Sequence, residues 1–562
     1  MLLVVGLFFS AAILFVFDLG SLPLRDWDEG IVAQVARDIS QASLSSWRWL
    51  YPRLGDGLYL NKPTLVHSLI AGAYTLGGVN EWTARLPGAL LTALSVPLLY
   101  GIGREVFPTR KPAIFAALVY LTWMPVVRHG RLAMLDGAVL CFFCFLIWCL
   151  LRSRRDLRWA LGIGIGVGLI CLSKGILGIL LGAIAFLFLV WDTPRLLTSR
   201  YLWAGLLLGI APVISWYVAQ RLYHGSPSID GNLLHHSLRR IWDAVERNSG
   251  PPWYYLLELL KYGWPWLLFL PQGLQQTWEN RNMGWAKLIL IWSSIYLLAI
   301  SVMGTKLPWY ILPLYPALAL AAGFQCASAW EKLRDQPYPR TWLLGLALLA
   351  IGSWVGSIYF AGFGSNPAPD VQLTLVATGL TMTVSAVLVA KRDRQFLVIL
   401  LWGTYVSLLL FVSSDHWVWE LAEHYPVKPV AAMIRNGTAE GTELYTTYPD
   451  TRPSLDFYSQ RQTKDVTDEL LLCFWEKAPN PYLLIEQNDM EGLALEEAEI
   501  LDAVEAPVGE QKWLLVGRAR KVVAPADWKQ ACLNEQKQEI PSAPDASPIP
   551  PAKDYPTSAP LT

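Results

Sequence analysis

Two adjacent acids, Asp28 and Glu29, follow directly on the first apolar run of the chain and open a helical pattern, LPLRDWDEGIVAQVARDI. Carboxylates at a helix start complement its N-terminus. At the lip of a membrane such a carboxylate can also take a proton from an attacking hydroxyl or orient a sugar. Basic residues recur between the later apolar runs: Lys62 in LNKPTL, Arg128 and Arg131 ahead of Asp136, Lys174 in SKG, Arg239 and Arg240 in HHSLRR, and Lys306 in GTKLPWY. Arg meets a phosphate bidentately and Lys as a point charge. Transfer of a sugar from a lipid phosphate needs both kinds of group: a base for the acceptor, here Asp28, and positive charge for the leaving phosphate, here Lys62 with Arg239 or Arg240. A single displacement of this kind inverts the anomeric centre. With a phosphate acceptor, already ionised, Asp28 orients rather than deprotonates.

The elements that hold these residues are membrane helices. Of 562 residues 54% are hydrophobic and 16% charged, against about 25% charged in a soluble protein. Forty-five basic residues balance 45 acidic ones, which argues against nucleic-acid binding through bulk charge. Seven cysteines are scattered without metal-ligand spacing to a histidine or a legible disulfide framework. Apolar runs of spanning length, roughly 20 residues, lie near 1–20, 84–102, 112–128, 134–151, 159–172, 175–191, 201–220, 254–271, 286–304, 307–327, 341–361, 371–390 and 395–413. The first has no basic leader or clear cleavage site and reads as an uncleaved span.

Lysine and arginine favour the cytoplasmic side. The basic loops 104–111, 152–158, 332–340 and 391–394 all lie there if the weaker run 63–79 is juxtamembrane or re-entrant. The expectation is a mainly α polytopic bundle of about 13 spans over 1–413, with a first outer loop at 21–83 and a large outer loop at 222–253. Residues 414–525 alternate strand-like and helical patterns, predicting a small extracytoplasmic α/β domain. Residues 526–562 read as a Pro-rich disordered tail. This topology leaves Arg25, Arg37, Lys62, Arg128, Arg131, Lys174, Arg239, Arg240 and Lys306 on the outer face, where cations near lipid call for anionic partners.

The ordered series Asp28-Glu29, LNKPTL, ARLPGAL, RLAMLDG, SKG, HHSLRR, PPWYYLLELLKYGWPW and GTKLPWYILPLYPALAL resembles the ArnT/PMT-type glycosyltransferases of the GT-C superfamily, from about residue 20 to 325. The resemblance implies a polyprenyl-phosphate sugar donor and a glycolipid (lipid A-like), polysaccharide or protein acceptor in the plasma (inner) membrane. It makes Asp28 the catalytic carboxylate beside Glu29, and Asp136 the second acidic position. Lys62 would contact the lipid phosphate. His236 with Arg239 matches the family's His-x-x-Arg, with His235 and Arg240 competing, and Lys306 and Tyr310 match Lys-Leu-Pro-x-Tyr. Asn61 stands where characterised aminoarabinose transferases have a metal-holding Glu, so no cofactor is certain; for a divalent metal the candidate ligands are His235 or His236. Ile31-Val32 replaces their Arg-Tyr, which implies another sugar or acceptor. The rival reading, a flippase for lipid-linked saccharides, calls for repeated halves or charges at mid-span, and the polar residues gather on one face instead.

Overall fold

The computed structural model describes residues 1–55, 57–225, 235–244, 248–332, 336–364, 367–418, 426–446, 452–490, 492–493, 495–505, 512–518 and 528–532. The chain divides into two compact units, Met1–Glu423 with Arg452–Phe457, and His424–Thr451 with Tyr458–Thr562. The first boundary therefore falls at 423 rather than 413, and six residues from beyond it belong to the first unit.

The first unit is helical. Among the described residues seven helices are long and apolar enough to cross a bilayer: Glu81–Val106, Leu157–Lys174, Arg200–His224, Gly284–Val302, Pro308–Glu331, Arg340–Phe363 and Pro369–Ala390. Arg110–Leu121 and Met124–Arg131, bent by 57°, make an eighth if they are one span, and Leu2–Val16, Leu65–Gly77, Leu177–Asp192 and Phe396–Val412 are shorter apolar helices. The 13 residues of Leu65–Gly77 rise only about 20 Å, less than a bilayer core of about 30 Å. The run expected to span at 254–271 is two helices, Tyr254–Tyr262 and Leu270–Glu279. Gly263 and Pro265 interrupt it, since proline removes a helix hydrogen bond. Gly164 and Gly168 let their helix cross Arg200–His224 at backbone contact; a Cβ on Gly164 would lie 2.1 Å from the Gly205 carbonyl carbon.

Two of the basic loops, 104–111 and 152–158, are held at one end of this unit through ion pairs: Lys111 with Glu331, Arg152 and Arg155 with Glu105, and Arg154, beside Lys287, with Asp192. At the other end Arg131 is buried and donates to the carbonyls of Leu14, Phe15, Phe17, Asp18 and Val412. It satisfies the open end of the first helix, and its guanidinium lies 4.6 Å over the Trp417 ring.

The second unit holds a five-stranded sheet in the order Gln462–Asp465, Glu443–Thr446, Tyr482–Glu486, Lys512–Arg518, Ala498–Glu505. The first three strands are parallel and the last two antiparallel additions. Leu471, Phe474 and Trp475 of the helix Asp468–Lys477 pack on Leu483, Ile485, Leu514 and Val516 of the sheet. Residues 528–532 form a helical turn tied by a Cys473–Cys532 disulfide. The expected tail from 526 thus includes an anchored piece; 533–562 lie outside the described residues.

Candidate active site

The helix Asp28–Gln41 starts from a tight turn. The Asp26 carbonyl accepts the Asp28 N–H at 2.7 Å around Trp27, whose backbone sits at φ 56°, ψ −63°. This is the rare, strained form of γ-turn, a conformation costing about 1–3 kcal/mol that persists only where its surroundings enforce it.

Glu29 supplies part of the enforcement. Its carboxylate is fully buried and accepts four hydrogen bonds: Arg85 Nε and Nη2, both at 2.8 Å, the Arg25 N–H at 2.9 Å and the Ala133 N–H at 2.6 Å. Arg85 in turn gives its remaining N–H groups to the carbonyls of Leu19, Leu22 and Pro23. Burial alone would raise the Glu29 pKa; the charge and hydrogen bonds of Arg85, with the two backbone donors, hold it below the usual carboxylate value. Glu29 therefore has no lone pair directed at a substrate, and the expectation that it shares catalysis with Asp28 gives way to a structural role. Breaking a satisfied buried pair from one side strands the other charge. Arg85→Ala is expected to lose about 3–5 kcal/mol of stability, read as a collapsed yield and a lowered melting midpoint in detergent. A well-folded Arg85→Ala with an unchanged midpoint would refute this, and the double change Arg85→Met with Glu29→Met should recover part of the loss.

Asp28, one residue earlier, is differently placed. It is half-buried and 3.4 Å from Arg25 Nη2. Burial pushes its carboxyl up to about 6; Arg25 and Lys174 pull against this, while Asp136 and Glu29 add to it. A base poised near neutrality is what proton abstraction from a hydroxyl favours.

The partners of Asp28 come from several helix ends. Asp136 is the first residue of the helix Asp136–Arg152 and accepts from Lys174 Nζ at 2.6 Å. Lys174 closes the helix Leu161–Lys174, where a cation meets the negative end of the helix dipole, and lies 5.6 Å over the Tyr310 ring. The Tyr310 hydroxyl accepts from Arg240 Nη1 at 3.1 Å. Lys62 is half-buried near Lys174, Arg240 and Asp136; burial, then the two like charges, lowers its ammonium to about 7. Lys62, Lys174, Arg240 and Arg25 thus face two carboxylates, Asp28 and Asp136.

Other expected residues are placed elsewhere. Lys306 is buried, and its three N–H groups are matched by the carbonyls of Ile300, Ser301 and Met303 at 3.0, 2.6 and 2.6 Å. It caps the helix Gly284–Val302 instead of facing a phosphate. The stretch it anchors matters, because Gly304 and Thr305 donate backbone N–H groups to Ile241 and Arg240 and so seat the Arg240 helix turn. Arg239 is exposed and pairs with Asp243 at 3.4 Å, so of the two competing arginines it is Arg240 that meets Tyr310. The side chains of His235 and His236 lie outside the described residues, and among the described ones no three His, Cys, Asp or Glu gather to hold a metal. ARLPGAL stood out in the sequence, but nothing there gave its Arg85 a role or pointed to Asp26 pairing with Arg452 at 2.8 Å.

Residues 61–218 match the family model described as dolichyl-phosphate-mannose-protein mannosyltransferase. Among curated relatives, undecaprenyl phosphate-alpha-4-amino-4-deoxy-L-arabinose arabinosyl transferase 1 of Pseudomonas fluorescens is 30% identical over 51% of this chain and 53% of its own length. A second such transferase of that species is 29% identical over 70% of this chain and 72% of its own. The chain thus spans about half the length of the first of these relatives. The crystal structure of ArnT from Cupriavidus metallidurans bound to undecaprenyl phosphate shares the fold, with a TM-score of 0.74 at 20% identity, covering 93% of this chain and 99% of that one. In matched sequence the chain is thus similar to the mannosyltransferase family model and to the undecaprenyl-phosphate aminoarabinose transferases, and it shares the fold of ArnT.

Proposed function

We propose that this protein is an integral membrane glycosyltransferase that moves a sugar from a polyprenyl-phosphate donor to a glycolipid of lipid A type, a polysaccharide or a protein on the outer face of the plasma membrane. The acceptor oxygen bonds to the anomeric carbon as the bond from that carbon to the phosphate oxygen breaks, inverting the centre. The acceptor proton passes to Asp28, and the electron pair stays on the polyprenyl phosphate, whose charge Lys62, Lys174 and Arg240 neutralise. The Asp136–Lys174 pair holds Lys174 in place. The observation that carries this reading is the meeting of Lys174 and Arg240 at Tyr310, with Lys62 within electrostatic reach of both and Lys174 within reach of Asp28. The names of the relatives support an undecaprenyl-phosphate donor; Ile31 and Val32, in place of the aminoarabinose transferases' Arg-Tyr, favour a different sugar or acceptor. A divalent metal stays a secondary proposal, with His235 or His236 as its candidate ligand.

The test is mass spectrometry of membrane lipids and surface polymers from cells with and without the gene. The expected result is a product lighter by one sugar in the deletion, restored by the wild-type gene; identical profiles would overturn the reading.

The same proposal puts the N-terminus and the ion-paired basic loops inside, about 13 passes in the membrane, and the second unit outside. The disulfide Cys473–Cys532 supports this, since disulfides persist in oxidising compartments. A membrane-impermeant maleimide applied to intact cells is expected to label these two cysteines only after reduction. Labelling that needs permeabilised cells would reverse the orientation.

A further inference from the structure

The strained turn at Trp27 is gripped from a second side. Arg452 Nη1 donates to Asp26 Oδ2 at 2.8 Å, and its guanidinium lies 5.6 Å over the Trp27 ring. Both charged side chains are nearly enclosed, 11% and 12% exposed. Ser454, fully buried, gives its hydroxyl and its backbone N–H to Asp26 Oδ1. Gly30 lies so close beneath that a Cβ there would come within 2.7 Å of the Ser454 nitrogen. Farther along the same helix, Arg37 Nη1 donates to the Phe457 carbonyl at 2.9 Å. The short segment Arg452–Phe457, which belongs to the first unit, thus lies along the opening of the helix Asp28–Gln41.

We propose that Arg452, seconded by Ser454, is the positioning residue for Asp28: by fixing Asp26 and stacking on Trp27 it holds the turn that aims the catalytic carboxylate. This rests on the reading of Asp28 as the base. The reasoning is mechanical. A γ-turn of this kind relaxes unless both flanks are held. Glu29 with Arg85 holds the downstream flank, and Asp26 with Arg452 and Ser454 is the matching restraint upstream. Release of the upstream restraint frees Trp27 to return to negative φ and swings Asp28 away from Asp136 and Lys174. The donor phosphate meets Lys62 and Arg240, which this release leaves in place.

The experiment uses the full-length protein in lipid nanodiscs, with Arg452→Met, Arg452→Lys, Ser454→Ala and, as control, Asp28→Asn. An apolar carbodiimide, which reacts with protonated carboxyls, is applied across a pH series, and Asp28 labelling is read by peptide mass spectrometry. Wild type is expected to lose labelling through about pH 6. In Arg452→Met the midpoint should fall by about one pH unit as the carboxyl gains water, and kcat for the sugar product should drop about tenfold or more with the donor KM unchanged, since small misplacements of this order are costly. Arg452→Lys should recover part of both; Ser454→Ala, the milder change, should move both in the same direction and covers the case that Arg452→Met folds poorly. A wild-type midpoint and kcat in Arg452→Met and Ser454→Ala would overturn the proposal, as would losses that Arg452→Lys leaves unrepaired while all variants melt early. If Asp28→Asn kept full transfer, the base assignment would fall, while the labelling midpoints would still judge the restraint.

Discussion

Asp28→Asn is expected to abolish sugar transfer and leave the protein folded. The amide keeps the shape of the side chain but cannot take the acceptor proton, and a positioned base contributes about 10²–10⁴-fold to such a step. Its surroundings predict the folding outcome. Burial already disfavours the ionised form, to the point of raising the carboxyl to about 6, and its ion pair to Arg25 is long at 3.4 Å. A neutral residue at 28 therefore relieves a desolvation cost and gives up little, so the melting midpoint should hold or rise. Glu29→Gln should do the reverse, since it leaves Arg85 with an uncompensated buried charge. The two adjacent acids are thus separable by two measurements, transfer and melting. An active Asp28→Asn, or an unstable one, would break the assignment. A phosphate acceptor would give an intermediate result, with turnover reduced rather than abolished, because the base is then needed only for orientation.

That separation was not legible in the sequence, where Asp28 and Glu29 are equivalent neighbours. The membrane architecture was legible wherever about 20 apolar residues run together. It was misread at 254–271, where Gly263 and Pro265 divide a run of sufficient hydropathy into two short helices. Which of the expected cations gather together was not legible residue by residue. Lys62, Lys174 and Arg240 converge, whereas Lys306 and Arg131 cap open helix ends and Arg37 serves a distant carbonyl. A helix end short of hydrogen-bond partners attracts a cation as well as a phosphate does, and composition cannot tell the two apart. Contacts such as Asp26 with Arg452, 426 residues apart, or Cys473 with Cys532, leave no local pattern to read.

Lys62→Met should weaken donor capture strongly and change the pH dependence in a way that identifies the residue. Removing one charged partner of a phosphate costs about 2 kcal/mol or more, roughly thirtyfold in affinity, measurable as the Kd for undecaprenyl phosphate. Before the donor binds, the ammonium of Lys62 is lowered to about 7 by burial and by Lys174 and Arg240, while the Asp28 carboxyl is raised to about 6. Lys62 must be protonated to grip the phosphate, so kcat/KM should fall as pH rises through about 7. Asp28 must be ionised, so kcat/KM should also fall as pH drops through about 6. The profile for the free protein is a narrow bell. A bound phosphate adds negative charge beside Lys62 and favours its protonated form, so the alkaline limb of kcat should lie at higher pH than that of kcat/KM. In Lys62→Met the alkaline limb should vanish and the acid limb remain; in a weakly active Asp28 variant the reverse should hold. A Lys62→Met protein with unchanged Kd and an intact alkaline limb would show that another cation receives the phosphate, and Lys174, already within 2.6 Å of Asp136, would be the next to replace.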